Sequence, residues 1–202
     1  MVGLGAGGWG RGWRDHRRRA QRHPLALGRG GQGALALDRP RAAVVIRAAT
    51  AADIDLLAEL DARCFSPGWG RTHFRQELTR EASVVLVAED DRGRLLGSLD
   101  AWVVYDELQI MRVVSATEAR RRGVGRALMR RVIGWARARE LAALTLEVRA
   151  NNGPAVALYE ALEMRRVGER PRYYEDGEAA LLYRLDLAPS RASPHLRDRA
   201  GC

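Results

Sequence analysis

Apolar positions along this chain fall into short runs that alternate between a strand period of two and a helical period, and each switch predicts a new element. Residues 1–41 show neither period and read as a disordered Gly/Arg-rich extension. From Ala42 the pattern begins. Val44-Val45-Ile46 reads as a first strand, and Thr50-Ala51-Ala52-Asp53 resembles a capping box before a helix carrying Ile54, Leu57, Leu60 and Cys64. The turn Ser66-Pro67-Gly68-Trp69-Gly70 leads to a short helix near Thr72–Arg80, with Phe74 and Leu78 on one face. Ser83–Ala88 and Leu95–Val104 read as a hairpin around the polar loop Glu89–Gly93, and a fourth strand spans about Leu108–Ser115.

Val124, Leu128, Val132 and Trp135 then recur at helical spacing, so a long helix starts close to Gly123 and Gly125. Leu144–Arg149 alternates, with Leu144, Leu146 and Val148 turned one way and Thr145, Glu147 and Arg149 the other. Asn151-Asn152-Gly153-Pro154 opens a further helix holding Val156, Tyr159 and Leu162. Val167 and Ala179–Leu187 form a closing antiparallel pair around Glu175-Asp176-Gly177. Helices interleaved with strands predict a single α/β domain over residues 42–187, a mixed sheet flanked by helices, followed by a frayed tail at 188–202.

Charge changes the picture less than its total suggests. The formal charge is +9, but residues 1–41 carry nine Arg against two acids and residues 188–202 three against one, while the segment between holds 22 Arg and 22 acids. The body is neutral, and every basic residue is Arg, which looks more like genomic base composition than a nucleic-acid device. Contact with RNA is a reading only for the N-terminal arm. Gly3-Leu4-Gly5-Ala6-Gly7-Gly8 matches a dinucleotide fingerprint in letters alone, because no strand precedes it. Cys64 and Cys202 are the only cysteines, the histidines lack metal-ligand spacing, and no apolar run approaches the ~18 residues of a membrane span. A cytoplasmic protein without a metal, a monomer or weak dimer, is the expectation.

Candidate chemistry gathers at Arg120-Arg121-Arg122-Gly123-Val124-Gly125-Arg126. A glycine turn opening a helix offers unpaired N–H groups and a positive dipole end, and the guanidinium groups add charge, which suits a pyrophosphate. No P-loop Lys and no third glycine at Leu128 support a nucleoside triphosphate or Rossmann site.

The Arg120-x-x-Gly123-x-Gly125 turn resembles the acetyl-CoA loop of GCN5-related N-acetyltransferases (GNAT). Leu146-Glu147-Val148-Arg149-Ala150-Asn151-Asn152, Ala157-Leu158-Tyr159-Glu160 and Tyr173-Tyr174 resemble the RimI-like branch of that family, which acetylates the N-terminal alanine of a ribosomal protein. The resemblance covers about 43–187 and implies the GNAT fold, a central, mostly antiparallel twisted sheet flanked by helices. It further implies acetyl-CoA as cosubstrate, held by Arg120, Arg121, Arg122, Gly123, Val124, Gly125 and Arg126, by the strand end Val113, Val114 and Ser115, and by Asn152 near the thioester. Glu147 is the implied general base and Tyr159 the general acid, also at the cofactor. Trp69, Tyr173 and Tyr174, with Phe74, are the implied acceptor lining.

The physical demands agree. An α-amine of pKa ≈ 8 is roughly a tenth neutral at pH 7, whereas a lysine near 10.4 is about 0.04% neutral, some ~3 kcal/mol harder to use. One carboxylate is a sufficient base for the first task. On spacing alone Glu147 also fits a solvated strand face, Tyr159 a packed helix residue and Arg120–Arg122 a solvated charge run, while Trp69 and Phe74 fit the core better than a ligand lining. The rival readings are acetylation of a lysine or small-molecule amine, and a non-catalytic acyl-CoA-binding or RNA-associated module. Two pairs depart from the family pattern. Ala116-Thr117 stands before the cradle where the family often has an acidic or polar residue then Pro, and Glu163-Met164 stands where Gly-Phe is usual, so that a left-handed backbone at Glu163 would carry roughly 1 kcal/mol of strain. Arg112 has no partner that the sequence names.

Overall fold

The computed structural model describes residues 44–65 and 67–187. The N-terminal extension, the C-terminal tail and Ser66 lie outside the described residues. The strands are β1 (Val45–Ala48), β2 (Ser83–Glu89), β3 (Leu95–Val104), β4 (Glu107–Ser115), β5 (Ala143–Arg149), β6 (Arg165–Arg170) and β7 (Ala180–Asp186). The helices are α1 (Ile54–Cys64), α2 (Arg71–Thr79), α3 (Val124–Arg137) and α4 (Gly153–Glu160). They build one seven-stranded sheet ordered β1-β2-β3-β4-β5-β7-β6, antiparallel throughout except between β4 and β5. A parallel pair needs a crossover, and α3 supplies it.

Local chemistry explains the boundaries. Asp53 reaches back to the backbone N–H of Thr50 at 2.7 Å and to its hydroxyl at 2.9 Å, closing the predicted box, and Arg47 clamps it from β1 with two hydrogen bonds of 2.8 Å. The Arg47 bonds, with those from Thr50, hold the Asp53 carboxyl below its ordinary range despite burial. α3 buries Val124, Leu128, Met129, Val132, Ile133, Trp135 and Ala136 as one stripe. The fourth helix ends at Glu160, two residues short of the Leu162 that its apolar spacing included, because Tyr159 O takes the N–H groups of both Leu162 and Met164 and leaves Glu163 left-handed at φ 63°.

Two layers of helix cover the sheet. Val85 and Val87 pack with Leu57 and Phe74, so one face belongs to α1 and α2. Val85 pairs with Asp100 and Asp100 with Arg112, which places those side chains on the same face. On the other face lies α3: a Cβ on Gly97 would stand 2.7 Å from Val124 and only 2.5 Å from the carbonyl oxygen of Val114. Helix and strand meet this closely only because Gly97 has no side chain. Gly97 pairs with Ser115 and Leu99 with Val113, so Val113 and Ser115 also face α3.

The site is positioned by an interruption. The β4–β5 ladder runs from Glu107 opposite Ala143 to Ile110 opposite Leu146 and stops. A bulge at Met111, between the pairs Ala101–Ile110 and Asp100–Arg112, bends β4 at that point. Beyond it, Met111–Ser115 and Glu147–Arg149 have no rung between them. The two strands part, and their facing edges line the opening.

Candidate active site

At the end of β4 the chain makes a single helical turn at Thr117–Ala119, with Ala116 and Ala119 each 1% exposed. Ala116 N–H is held by Leu96 O at 2.9 Å, so this departure from the family pattern is accommodated by burying two small side chains. Arg121 then takes φ 57° and Gly123 φ 85°, and Gly123 is the N-terminal cap of α3 with no side chain on the helix end. The first N–H groups of α3 therefore have no partner within the helix and no protein side-chain cap. Arg120, Arg121, Arg122 and Arg126 stand exposed around them. A Cβ on Gly125 would meet Leu158 Cδ2 at 3.2 Å, Ser115 Oγ at 3.7 Å and Val113 Cγ1 at 4.0 Å. The glycine thus marks the place where the helix start, the end of β4 and α4 converge, and the residues present fit a CoA pyrophosphate and its arm. Val114 is 2% exposed and turned to the α1 side, leaving its backbone as the part that borders the opening.

Glu147 sits across this opening. Leu146 pairs with Ile110, which faces α3, so the next residue, Glu147, points to the α1–α2 side. Its Oε1 lies 2.9 Å from Arg170 Nη1 at the end of β6. Tyr173 is hydrogen-bonded to it as well, and this bond raises the phenol above its ordinary range, with burial adding to the effect. Tyr173 and Tyr174 meet edge to face at 5.1 Å. The Arg149 guanidinium lies 3.9 Å from the Tyr174 ring and bonds Asp176 and Glu178 at 2.7 Å each, while Glu178 also accepts the N–H of Asn151 at 2.7 Å. The β6–β7 connection is therefore clamped onto the end of β5.

Tyr159 stands on α4. It is 7% exposed, and burial, with the charge of Tyr174 adding to it, pushes its hydroxyl up to about 12. Its ring lies 6.2 Å from Tyr183, whose hydroxyl donates to Glu160 Oε1 at 3.0 Å. Asn152 caps α4, its Oδ1 accepting Ala155 N–H at 3.3 Å, and leaves its amide N–H₂ as the group it can offer a ligand.

The structure thus brings Glu147 together with Arg170, Tyr173 and Tyr174, sets Tyr159 against Tyr183 with Tyr174 near enough to act on its charge, and gathers Val113 and Ser115 at Gly125. Trp69 is half-buried against the Leu57–Phe74 cluster and stacks on His73 at 5.2 Å. Phe74 takes the core place that its spacing favoured over the lining role implied by the resemblance. At 2% exposed it is core and lines no cleft. Four residues escaped sequence reading. Arg170 reaches Glu147 only through the β6–β7 register, Glu178 and Asp176 reach Arg149 only through the turn between those strands, and Asp61 is the partner of Arg112 from 51 residues away. Among the described residues no group of three or more His, Cys, Asp or Glu side chains could hold a metal ion, and no helix is long and apolar enough to cross a membrane.

A parallel strand pair that opens beside a glycine-led helix start, with a carboxylate presented on the facing strand, is the arrangement of an N-acetyltransferase. Comparison with known proteins agrees. Residues 54–164 match the acetyltransferase (GNAT) family, and the chain belongs to that family. It is 30% identical over 140 residues to the [ribosomal protein bS18]-alanine N-acetyltransferase of Salmonella typhimurium, covering 67% of this chain and 93% of that relative. It is 34% identical over 152 residues to the N-alpha-acetyltransferase RimI of Mycobacterium tuberculosis, covering 71% and 92%. Among solved structures, the ribosomal-protein-S18-alanine N-acetyltransferase from Escherichia coli superposes with a TM-score of 0.68 at 27% identity, over 75% of this chain and 98% of that one.

Proposed function

We propose that this acetyltransferase moves the acetyl group of acetyl-CoA onto the N-terminal α-amine of a protein, by direct attack in a ternary complex. A ribosomal protein that begins with alanine is the acceptor, and the cytoplasm, where such proteins are made, is the compartment. The observation that carries the reading is the presentation of Glu147 at the opening between β4 and β5, held by Arg170 and Tyr173. The relatives named as ribosomal-protein alanine N-acetyltransferases support the choice of acceptor.

When bound, acetyl-CoA supplies a thioester whose carbonyl carbon the amine attacks. The N–H groups of Gly123–Arg126 and the guanidinium groups of Arg120–Arg122 would hold its pyrophosphate, the unpaired edge of Val113–Ser115 its arm, and the Asn152 amide the region near the thioester. Glu147 takes the proton from the amine as the N–C bond forms. An α-amine needs little help, since roughly a tenth is already neutral at pH 7. Tyr159 keeps its proton up to about 12. A thiol ordinarily titrates near 8.5, so Tyr159 acts as a hydrogen-bond donor to the charge that builds on the departing sulfur. The proton that completes the thiol comes from the amine by way of Glu147 or from solvent. Trp69, Tyr173 and Tyr174 line the acceptor side.

Steady-state kinetics on Glu147→Gln and Tyr159→Phe test this reading. Each lowers kcat by ~10²–10⁴ while acetyl-CoA affinity, measured by calorimetry, is kept. Undiminished turnover in both variants overturns it.

A further inference from the structure

Between the sheet and α1 lies a charged group that the chemistry above does not use. Arg112 stands on β4 just past the last rung shared with β5, on the face that also carries Glu147. It is ion-paired with Asp61 of α1, which is 1% exposed. The same carboxylate oxygen accepts the backbone N–H of Trp69 at 2.5 Å. The guanidinium carbon lies 4.1 Å from the centroid of the Phe65 ring and 4.4 Å from that of Trp69. One buried carboxylate and one planar cation thus tie the end of α1 and both aromatics of the α1–α2 connection to the strand beside the opening. Gly68 belongs to the same construction, since a Cβ there would stand 2.8 Å from Ala62 Cα and 3.2 Å from Asp61 Oδ2.

The aromatics are not spent on the core alone. Phe65 is 38% exposed and Trp69 half-buried, and the guanidinium they both rest on stands on the sheet face that carries Glu147. A lysine at 112 would restore the charge, but only the flat guanidinium stacks on a ring while donating to a carboxylate.

We propose that Arg112, held by Asp61, is a positioning residue for the acceptor: it sets Phe65 and Trp69 as one wall of the acceptor cleft and so governs peptide KM. This inference rests on the reading of Glu147 as the base that the acceptor must reach. It acts on neither the bond-making step nor the pyrophosphate cradle, which lies on the α3 side of the sheet.

The test is steady-state kinetics of the full chain on an alanine-starting peptide, with Arg112→Met, Arg112→Lys and the surface variant Phe65→Leu, each checked for folding by circular dichroism. Arg112→Met raises peptide KM about 10-fold or more, leaves acetyl-CoA KM unchanged and moves kcat less than about 3-fold; Arg112→Lys recovers only part of the loss, and Phe65→Leu raises peptide KM in the same sense. Unchanged peptide KM in Phe65→Leu and in whichever Arg112 variants fold, or a parallel loss in acetyl-CoA KM and kcat, overturns the proposal. Failure of the unmodified chain to acetylate the peptide would instead strike at the proposed function itself.

Discussion

Asp100 shows how one side chain can report on the sheet's interior. It is 3% exposed, neither carboxyl oxygen has a hydrogen-bond partner, and burial, with the charge of Glu77 adding to it, raises it from 3.8 to about 8, against the smaller opposing pull of Arg112 and Arg80. Between those values the folded chain keeps a proton that the unfolded chain has released. Stability from this group is therefore complete below pH 3.8, falls as pH rises toward about 8, and is level above it. Asp100→Asn removes the titration. Its melting temperature relative to the unmodified protein rises between pH 5 and pH 8, and an identical difference at both pH values would refute the assignment. None of this was legible in the sequence, where Asp100 is one polar letter in an apolar strand. Its environment is set by register with Val85 and Arg112, and by helices that arrive from far along the chain.

At the scale of elements, the strand and helix starts were legible wherever a local rule acts alone. The alternation in Leu144–Arg149 separated Glu147 from the core before any fold was known, and the glycines located the start of α3. Two features were not legible because they belong to pairing. One is the bulge at Met111 that parts β4 from β5; the other is the insertion of β7 between β5 and β6, which delivers Arg170 and Tyr173 to Glu147. The anticipated strain at the end of α4 is present, with Glu163 at φ 63°. Glu163→Gly stabilises the fold by about 1 kcal/mol, seen as a rise of ~2–4 °C in melting temperature, and a loss of stability would show the side chain to be doing something else. Gly125→Ala tests the other end of the opening. Its Cβ would press on Leu158 at 3.2 Å and crowd the helix start, so acetyl-CoA binding weakens ~10-fold while the fold, read by circular dichroism, stays. Unaltered binding would remove Gly125 from the cradle.

Among the described residues, one seven-stranded sheet carries the two halves of the candidate site on opposite faces. The α3 face holds the glycine-led helix start, the α1–α2 face holds Glu147 and Arg112, and the gap between β4 and β5 lies between them. The neutral charge of the body fits a reaction on a protein terminus, and the excess Arg sits in the terminal extensions. The proposed preference for an α-amine would follow from chemistry as much as from shape, because a single carboxylate base favours the amine that gives up its proton most easily. The most direct measurement is mass-spectrometric mapping of acetylation by the purified full chain on a peptide library varied at the first residue and containing internal lysines. Acetyl groups are expected on the α-amine of alanine-starting peptides, at rates about 100-fold or more above lysine side chains. Acetylation confined to lysine side chains or to small-molecule amines, with alanine termini untouched, would contradict the proposed function.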